Sequence, residues 1–295
     1  MKKNIFLESV LLFLIVISFS CLAREQIEEK DKLYPQLCSA VIQLEHYEIM
    51  TKEGAYEIFT KKVADGTAFF VVDTQDLFIV SARHVVEKEY DLHARVECKN
   101  NLTGENEVVL LKLKKNKWIF HPEGETIDKN YVDVAVLKIP WITDRNIYAF
   151  RHESPSTDET NYNQHSFEDP IPPDCILILG FPFDIGFELI EQKPLIRSGI
   201  ISMVNGKRLL KLGNGKFAEE KTILIDAQMF PGNSGSPVIK QIFPFASEIK
   251  LLGLVIATND KKNYAVIEPV SRIRETIEIA KKESKEKDCW FLLEE

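Results

Sequence analysis

The chain has 295 residues, 45% of them hydrophobic and 28% charged, which fits a globular protein and excludes a disordered or fibrous chain. Its formal charge of -8 at pH 7 argues against general nucleic-acid binding, and no basic stripe interleaved with aromatics offsets that balance.

At the amino terminus Lys2 and Lys3 precede the apolar run Val10-Leu11-Leu12-Phe13-Leu14-Ile15-Val16-Ile17, which is short for a membrane span, and Ser18-Phe19-Ser20-Cys21-Leu22-Ala23 follows. This pattern predicts a secretory signal over residues 1–23. Two cleavage sites compete: after Ala23, or ahead of Cys21 as in lipoproteins, where the cysteine takes the lipid. Ser18 stands where the lipoprotein box prefers a branched aliphatic, so the box fits loosely. The expectation is export, to the medium or the cell envelope, with a lipid on Cys21 as the one route to a membrane. Removing the leader leaves about 270 residues, enough for two domains sharing one cleft.

Residues 24–32 are charged and read as a linker or short helix. A first β-rich domain is predicted over 33–150. Within it Thr67-Ala68-Phe69-Phe70-Val71-Val72-Asp73 turns into Leu77-Phe78-Ile79-Val80-Ser81-Ala82-Arg83-His84-Val85-Val86, a hairpin that ends in a histidine. The lysines between Lys112 and Lys117 read as a solvated hairpin. Asp133 falls in the apolar run Tyr131-Val132-Asp133-Val134-Ala135-Val136-Leu137, where a carboxylate is costly to bury unless a donor such as an imidazole N–H meets it; Asp128 competes with it. Residues 151–173 are polar and proline-broken and read as an inter-domain connection, and a second β domain is predicted over 174–270. Near its end Gly232-Asn233-Ser234-Gly235-Ser236-Pro237 sets a serine among small residues, which expose both a hydroxyl and the neighbouring N–H groups. The same residues are ordinary turn chemistry. Over 271–295, Ile273, Ile277 and Ala280 predict an amphipathic helix capped by Ser271. No internal repeat is found.

Cysteine use adds little chemistry. With Cys21 set aside, Cys38, Cys98, Cys175 and Cys289 remain, an even set that permits three disulfide pairings in an oxidising compartment. There is no Cys-x-x-Cys and no His-Glu-x-x-His, so neither a metal site nor another cofactor is expected.

Taken in order, these segments resemble the trypsin-like serine peptidases of the chymotrypsin fold, nearest to the group of HtrA proteases and glutamyl endopeptidases. Ser81-Ala82-Arg83-His84-Val85-Val86 is similar to the family's histidine segment, Asp133-Val134-Ala135-Val136-Leu137 to its acid strand, and Gly232 to Pro237 to its nucleophile loop. Ile178-Leu179-Gly180-Phe181-Pro182 and Ser198-Gly199-Ile200-Ile201-Ser202 resemble two further segments of its second barrel. The match runs from about Gly66 to about Val270. It implies an all-β fold of two six-stranded antiparallel β-barrels, an active site in the cleft between them and a C-terminal α-helix. It further implies a Ser234–His84–Asp133 triad, an oxyanion hole from the Gly232 and Ser234 N–H groups, and polypeptide substrates.

By the family's spacing the primary pocket is expected to involve Gln228 at its base and Ile256, Ala257 and Thr258 on its walls, with Asn263 and Tyr264 nearby. None of these is charged, which favours small or medium apolar side chains; a glutamate preference is the alternative, suggested by Thr258 but without a matching histidine. Asn233 replaces the aspartate that pairs with a new amino terminus in digestive enzymes, so no such zymogen switch is expected. The reading leaves no room for a C-terminal peptide-binding domain, a departure from HtrA proteases. Two other readings stay open: a surface-bound pseudoenzyme or adhesin, given Ser236 where many relatives carry glycine, and an α/β-hydrolase esterase, which the absence of a Gly-x-Ser-x-Gly elbow disfavours.

Overall fold

The computed structural model describes residues 35–51, 58–73, 76–124, 131–140, 145–151, 165–183, 193–211, 217–240, 249–259, 263–283 and 292–293. The predicted leader, the charged segment after it, Asp128, most of the inter-domain connection and Cys289 lie outside the described residues. Cys38, Cys98 and Cys175 are not bonded to one another.

The amino-terminal sheet is built from β1 (Val41–Thr51), β2 (Ile58–Asp73), β3 (Asp76–Ser81), β4 (Leu92–Asn100), β5 (Asn106–Leu113), β6 (Ile119–Phe120), β7 (Ala135–Ile139), β8 (Arg145–Asn146) and β9 (Phe150–Arg151). The predicted hairpin is present: β2 and β3 pair antiparallel from Ala68↔Ser81 to Asp73↔Asp76. Its apolar runs do not alternate because both faces are covered, with Phe69, Phe70, Val71, Phe78 and Ile79 all at 0% exposure. β4 shows the other pattern: Leu92, Ala94, Val96 and Cys98 are buried, and the residues between them face outward. β7 extends the sheet beyond β3, pairing with it from Leu77↔Ile139 to Ser81↔Ala135.

The second sheet contains β10 (His165–Phe167), β11 (Cys175–Gly180), β12 (Leu195–Lys211), β13 (Phe217–Asp226), β14 (Pro237–Lys240), β15 (Ile249–Asn259) and β16 (Tyr264–Pro269). Its order β15-β14-β11-β12-β13-β16 closes because β16 also pairs with β15, giving a six-stranded barrel with β10 added in parallel outside. Closure removes the unpaired edges that a free sheet would expose. Ile176, Ile178, Ile201, Ile225, Leu252, Val255 and Ile267 fill the barrel. The opposite face of β15 carries Leu251, Leu254 and Ile256 into the larger cluster shared with the first sheet, so this strand is apolar on both sides. The architecture is the all-β, two-barrel arrangement that the sequence predicts.

One α-helix stands out, α2 (Val270–Glu283), after a one-turn α1 (Arg83–Val86) in the first sheet's half. Val270, Ile273, Ile277 and Ala280 recur at helical spacing on its buried face and join the same large cluster. The helix starts at Val270, so Ser271 lies inside its first turn instead of capping it. Beyond it, β17 (Leu292–Leu293) pairs with β5 and returns the carboxyl-terminal region to the first sheet, a pairing two residues long that periodicity does not reveal.

Candidate active site

His84 reaches the cleft because of a short detour in the backbone. β3 ends at Ser81, Ala82 is extended, and α1 follows with Arg83, Val85 and Val86 buried and His84 exposed between them. Arg83 anchors the turn by bonding Glu87 at 2.9 and 3.2 Å and by stacking its guanidinium 4.7 Å from the Phe120 ring centroid.

Asp133 receives two bonds from this turn. The His84 backbone N–H donates to Oδ1 at 2.9 Å, and His84 Nδ1 lies 2.6 Å from Oδ2. An ionised carboxylate accepts only, so Nδ1 carries the proton, and in the neutral imidazole Nε2 keeps a lone pair. The acid side chain is 7% exposed and the imidazole 44%, which leaves one partner sealed and the other open to solvent. Asp133 sits two residues ahead of β7, not within a strand, and that irregular stretch frees its backbone for side-chain partners: the Asp133 N–H donates to Glu268 Oε1 at 3.0 Å.

The serine loop is shaped by its backbone. Gly232 and Gly235 have φ of +93° and +87°, in the left-handed region that disfavours a side chain. A Cβ on Gly235 would run into Thr67 O and Ser81 Oγ, and one on Gly232 would meet Phe181 O and the Phe183 ring. Within the loop the amides of Asn233, Gly235 and Ser236 donate to Phe230 O, Val255 O and Asn233 O. Among the described residues no protein acceptor takes the amides of Gly232 and Ser234.

Thr67 ties this loop to the first sheet. Its N–H donates to Ser234 O at 3.0 Å, its Oγ1 donates to Gly232 O at 2.9 Å and accepts from Phe181 N–H at 3.0 Å, and its carbonyl accepts from Ser81 Oγ at 2.8 Å. Next to it, a Cβ on Gly66 would lie 2.7 Å from Val85 Cγ1 and 3.2 Å from Ser234 O, so the histidine turn and the serine loop pack against one glycine. The three predicted residues are thereby gathered at one place. Among the described residues no hydrogen bond joins Ser234 Oγ to His84 Nε2; contacts of this type are often long without substrate and tighten when it binds.

The residues predicted to form the pocket are less uniform. Gln228 is exposed just after β13, and Ala257 and Thr258 are half-buried on β15. Ile256 is 4% exposed and packs in the large core cluster, so what it can offer a substrate is backbone. Asn263, with φ of 51°, forms the turn into β16, and Tyr264 opens that strand. Sequence reasoning missed Arg197. It pairs with Ile178 and so faces the barrel interior, and its guanidinium lies 4.5 Å from the centroid of Phe230, four residues before Ser234. Burial pushes its pKa down. Thr67 and Glu268 were missed too; a polar residue in an apolar strand was the available signal for each.

Ser236, the departure from many relatives, is accommodated by Gly180. Its hydroxymethyl fills the space that a Cβ on Gly180 would need, and Asn233 Oδ1 lies on the same side. Asn233 is 1% exposed, with Nδ2 bonded to Phe230 O at 3.1 Å.

The model of the trypsin-like peptidase domain matches residues 66–242, more than half of the chain. The chain belongs to that family, the trypsin-like serine peptidases. Among solved structures it is similar to the HtrA-type protease AlgW with a decapeptide, at TM-score 0.50 and 16% identity, over 84% of this chain and 65% of that one. It is also similar to a serine endoprotease from Yersinia pestis, at TM-score 0.46 and 16% identity, over 85% of this chain and 67% of that one. A protease from M. tuberculosis in its active form matches at TM-score 0.48 and 13% identity, over 83% and 82%. The chain thus spans less than two thirds of the AlgW chain, and at these identities the likeness concerns fold. No curated protein sequence matches it.

Proposed function

We propose that this chain is an exported serine endopeptidase that cleaves polypeptides through an acyl-enzyme. The observation that carries the reading is the doubly bonded Asp133–His84 pair beside a serine loop whose Gly232 and Ser234 amides have no protein acceptor among the described residues. Ser234 Oγ attacks the scissile carbonyl while His84 Nε2 takes its proton, and Asp133 holds the imidazolium. The Gly232 and Ser234 N–H groups bind the oxyanion; removing one such donor typically costs about 10²–10³ in kcat. The intermediate collapses as His84 gives its proton to the leaving amine. Water then attacks the acyl-serine, His84 again acting first as base and then as acid.

The substrate strand is read as lying along β15 at Ile256–Thr258, beyond the last residue paired with β14, Leu254. Gln228, Ala257 and Thr258 then border the side chain ahead of the scissile bond, and the preference follows as small or medium apolar. Asn233 supports assembly without a zymogen switch: its side chain is committed locally and carries no charge for a new amino terminus to meet. Export rests on residues 1–23.

Ser234→Ala is the direct test. The secreted form should cleave quenched fluorescent casein and react with a serine-directed fluorophosphonate, and the variant should do neither, with a kcat loss on the order of 10⁶. Full hydrolysis by Ser234→Ala would refute the assignment. Fluorophosphonate-inert wild type that still bound polypeptides would favour the adhesin-like reading.

A further inference from the structure

Behind the Asp133–His84 pair lies a buried carboxylate that no step of the proposed reaction uses. Glu268, in β16, is 3% exposed in a stretch where Val266, Ile267 and Val270 are buried as well, yet its Oε1 accepts the Asp133 N–H. A carboxylate in such a place is expensive unless it is bonded and neutralised. Arg272, on the helix that follows, contributes an attractive charge. Burial alone would lower the Arg272 pKa, but its bond to Glu275 and the charges of Glu275, Glu123 and Glu268 outweigh burial and raise it.

This cation belongs to a chain of contacts that surrounds the acid segment. Arg272 Nη1 bonds Glu275 at 2.7 Å and Nη2 bonds Glu123 at 3.2 Å, while Glu275 meets His121 Nε2 at 2.9 Å. The His121 backbone N–H donates to Val134 O at 3.3 Å, and Arg83 N–H donates to Asp133 O, also at 3.3 Å. The carbonyls of Asp133 and Val134 are thus held by the first half of the molecule, and the Asp133 amide is held by the second. Without an acceptor that buried N–H is unsatisfied, and the simplest relief is rotation of the peptide ahead of Asp133. The rotation would turn the carboxylate away from Nδ1.

We propose that Glu268 is a positioning residue: by accepting the Asp133 amide it fixes the peptide that aims the Asp133 carboxylate at His84, locking the histidine–acid pair of the first sheet to the second barrel. The inference rests on the function proposed above. It assigns to Glu268 no contact with substrate.

Two variants separate positioning from mere stability. Glu268→Leu keeps the volume and removes the acceptor, and Glu268→Gln keeps an acceptor and removes the charge. Active sites are counted with fluorophosphonate, and kcat and KM are measured on quenched casein. Glu268→Leu should lose about tenfold in kcat per titrated site with KM within about twofold, and Glu268→Gln should recover to within about threefold of wild type. A loss of titratable sites with kcat per site unchanged would overturn the inference. If Glu268→Leu does not fold, amide hydrogen exchange in wild type and Glu268→Gln reads the same bond: slow exchange at Asp133 is expected in both, and exchange as fast as in an open loop overturns it. Wild type that neither labels nor hydrolyses would sink the proposed function and this inference together; labelled wild type with an unaffected Glu268→Leu sinks this inference alone.

Discussion

The two halves of the molecule hold their parts of the candidate site in opposite ways. The first sheet presents a side-chain device, an imidazole and a carboxylate joined at 2.6 Å, on backbone that is irregular on both sides. The second barrel presents a backbone device, two amides without a protein acceptor among the described residues, in a turn that needs glycine at both bends. Side chains can be aimed by a few hydrogen bonds, but an N–H can be aimed only by fixing the peptide that carries it. Accordingly the acid is gripped through partners far apart in sequence, whereas the serine loop is set by local conformation and then clamped by Thr67.

The sharpest way to break this contrast is to spoil the side-chain device without disturbing the backbone one. Asp133→Asn can still bond His84, but as a side-chain amide it can donate to Nδ1 and so stabilise the wrong tautomer. The expected loss is about 10⁴-fold in kcat, with the thermal midpoint little changed. A loss below about tenfold would mean that Asp133 does not set the His84 tautomer. Asp133 is then structural, and the two-device picture fails on its first side.

Gly235→Ala attacks the other device. The new Cβ would occupy the position of Thr67 O at a backbone angle that alanine avoids, so either the loop or β2 must move. A stability loss of about 3 kcal/mol or more is expected by denaturant unfolding, along with loss of hydrolysis. Retained activity in a destabilised protein would show that the amides tolerate displacement, and that the loop is less strictly a backbone device than its geometry implies.

The same contrast explains what could be read from the sequence. Backbone devices leave local signatures, because glycine, asparagine and serine must stand at fixed steps; the run from Gly232 to Pro237 was readable for that reason. His84 was readable from its strand and the small residues before it, the hairpin from its continuous apolar runs, and the carboxyl-terminal helix from its apolar period. Side-chain partners across the fold leave no local trace. Glu268 lies 135 residues from Asp133, and nothing in Val266-Ile267-Glu268-Pro269 says which amide its carboxylate will meet. Arg197 was hidden likewise, since only the register of β11 and β12 turns it inward. Ser271 was misplaced as a cap because the helix begins at Val270, directly after β16 ends at Pro269.

The smallest effect concerns the outer end of the contacts behind the acid and sharpens the comparison by separating stability from catalysis. Burial would raise the Glu275 pKa, but hydrogen bonds from Arg272 and His121 override it and hold the carboxyl below its ordinary value. A carboxyl whose pKa is depressed by folding stabilises the native state above its unfolded value, about 4.3, and that contribution disappears as pH falls through the lower folded value. Glu275 is about half exposed, with 48% of its side chain accessible, so solvent screening keeps the effect under about 1 kcal/mol. Glu275→Gln should therefore be slightly less stable than wild type at pH 7, and the difference should shrink toward zero on acidification below pH 4, as read by urea unfolding at several pH values. Its kcat per titrated site should stay at the wild-type value, because Glu268 and not Glu275 bonds the Asp133 amide. A fall in kcat comparable to that of Glu268→Leu would show that the helix end and the acid act as one unit, and that the side-chain device extends farther from His84 than the bond to Glu268.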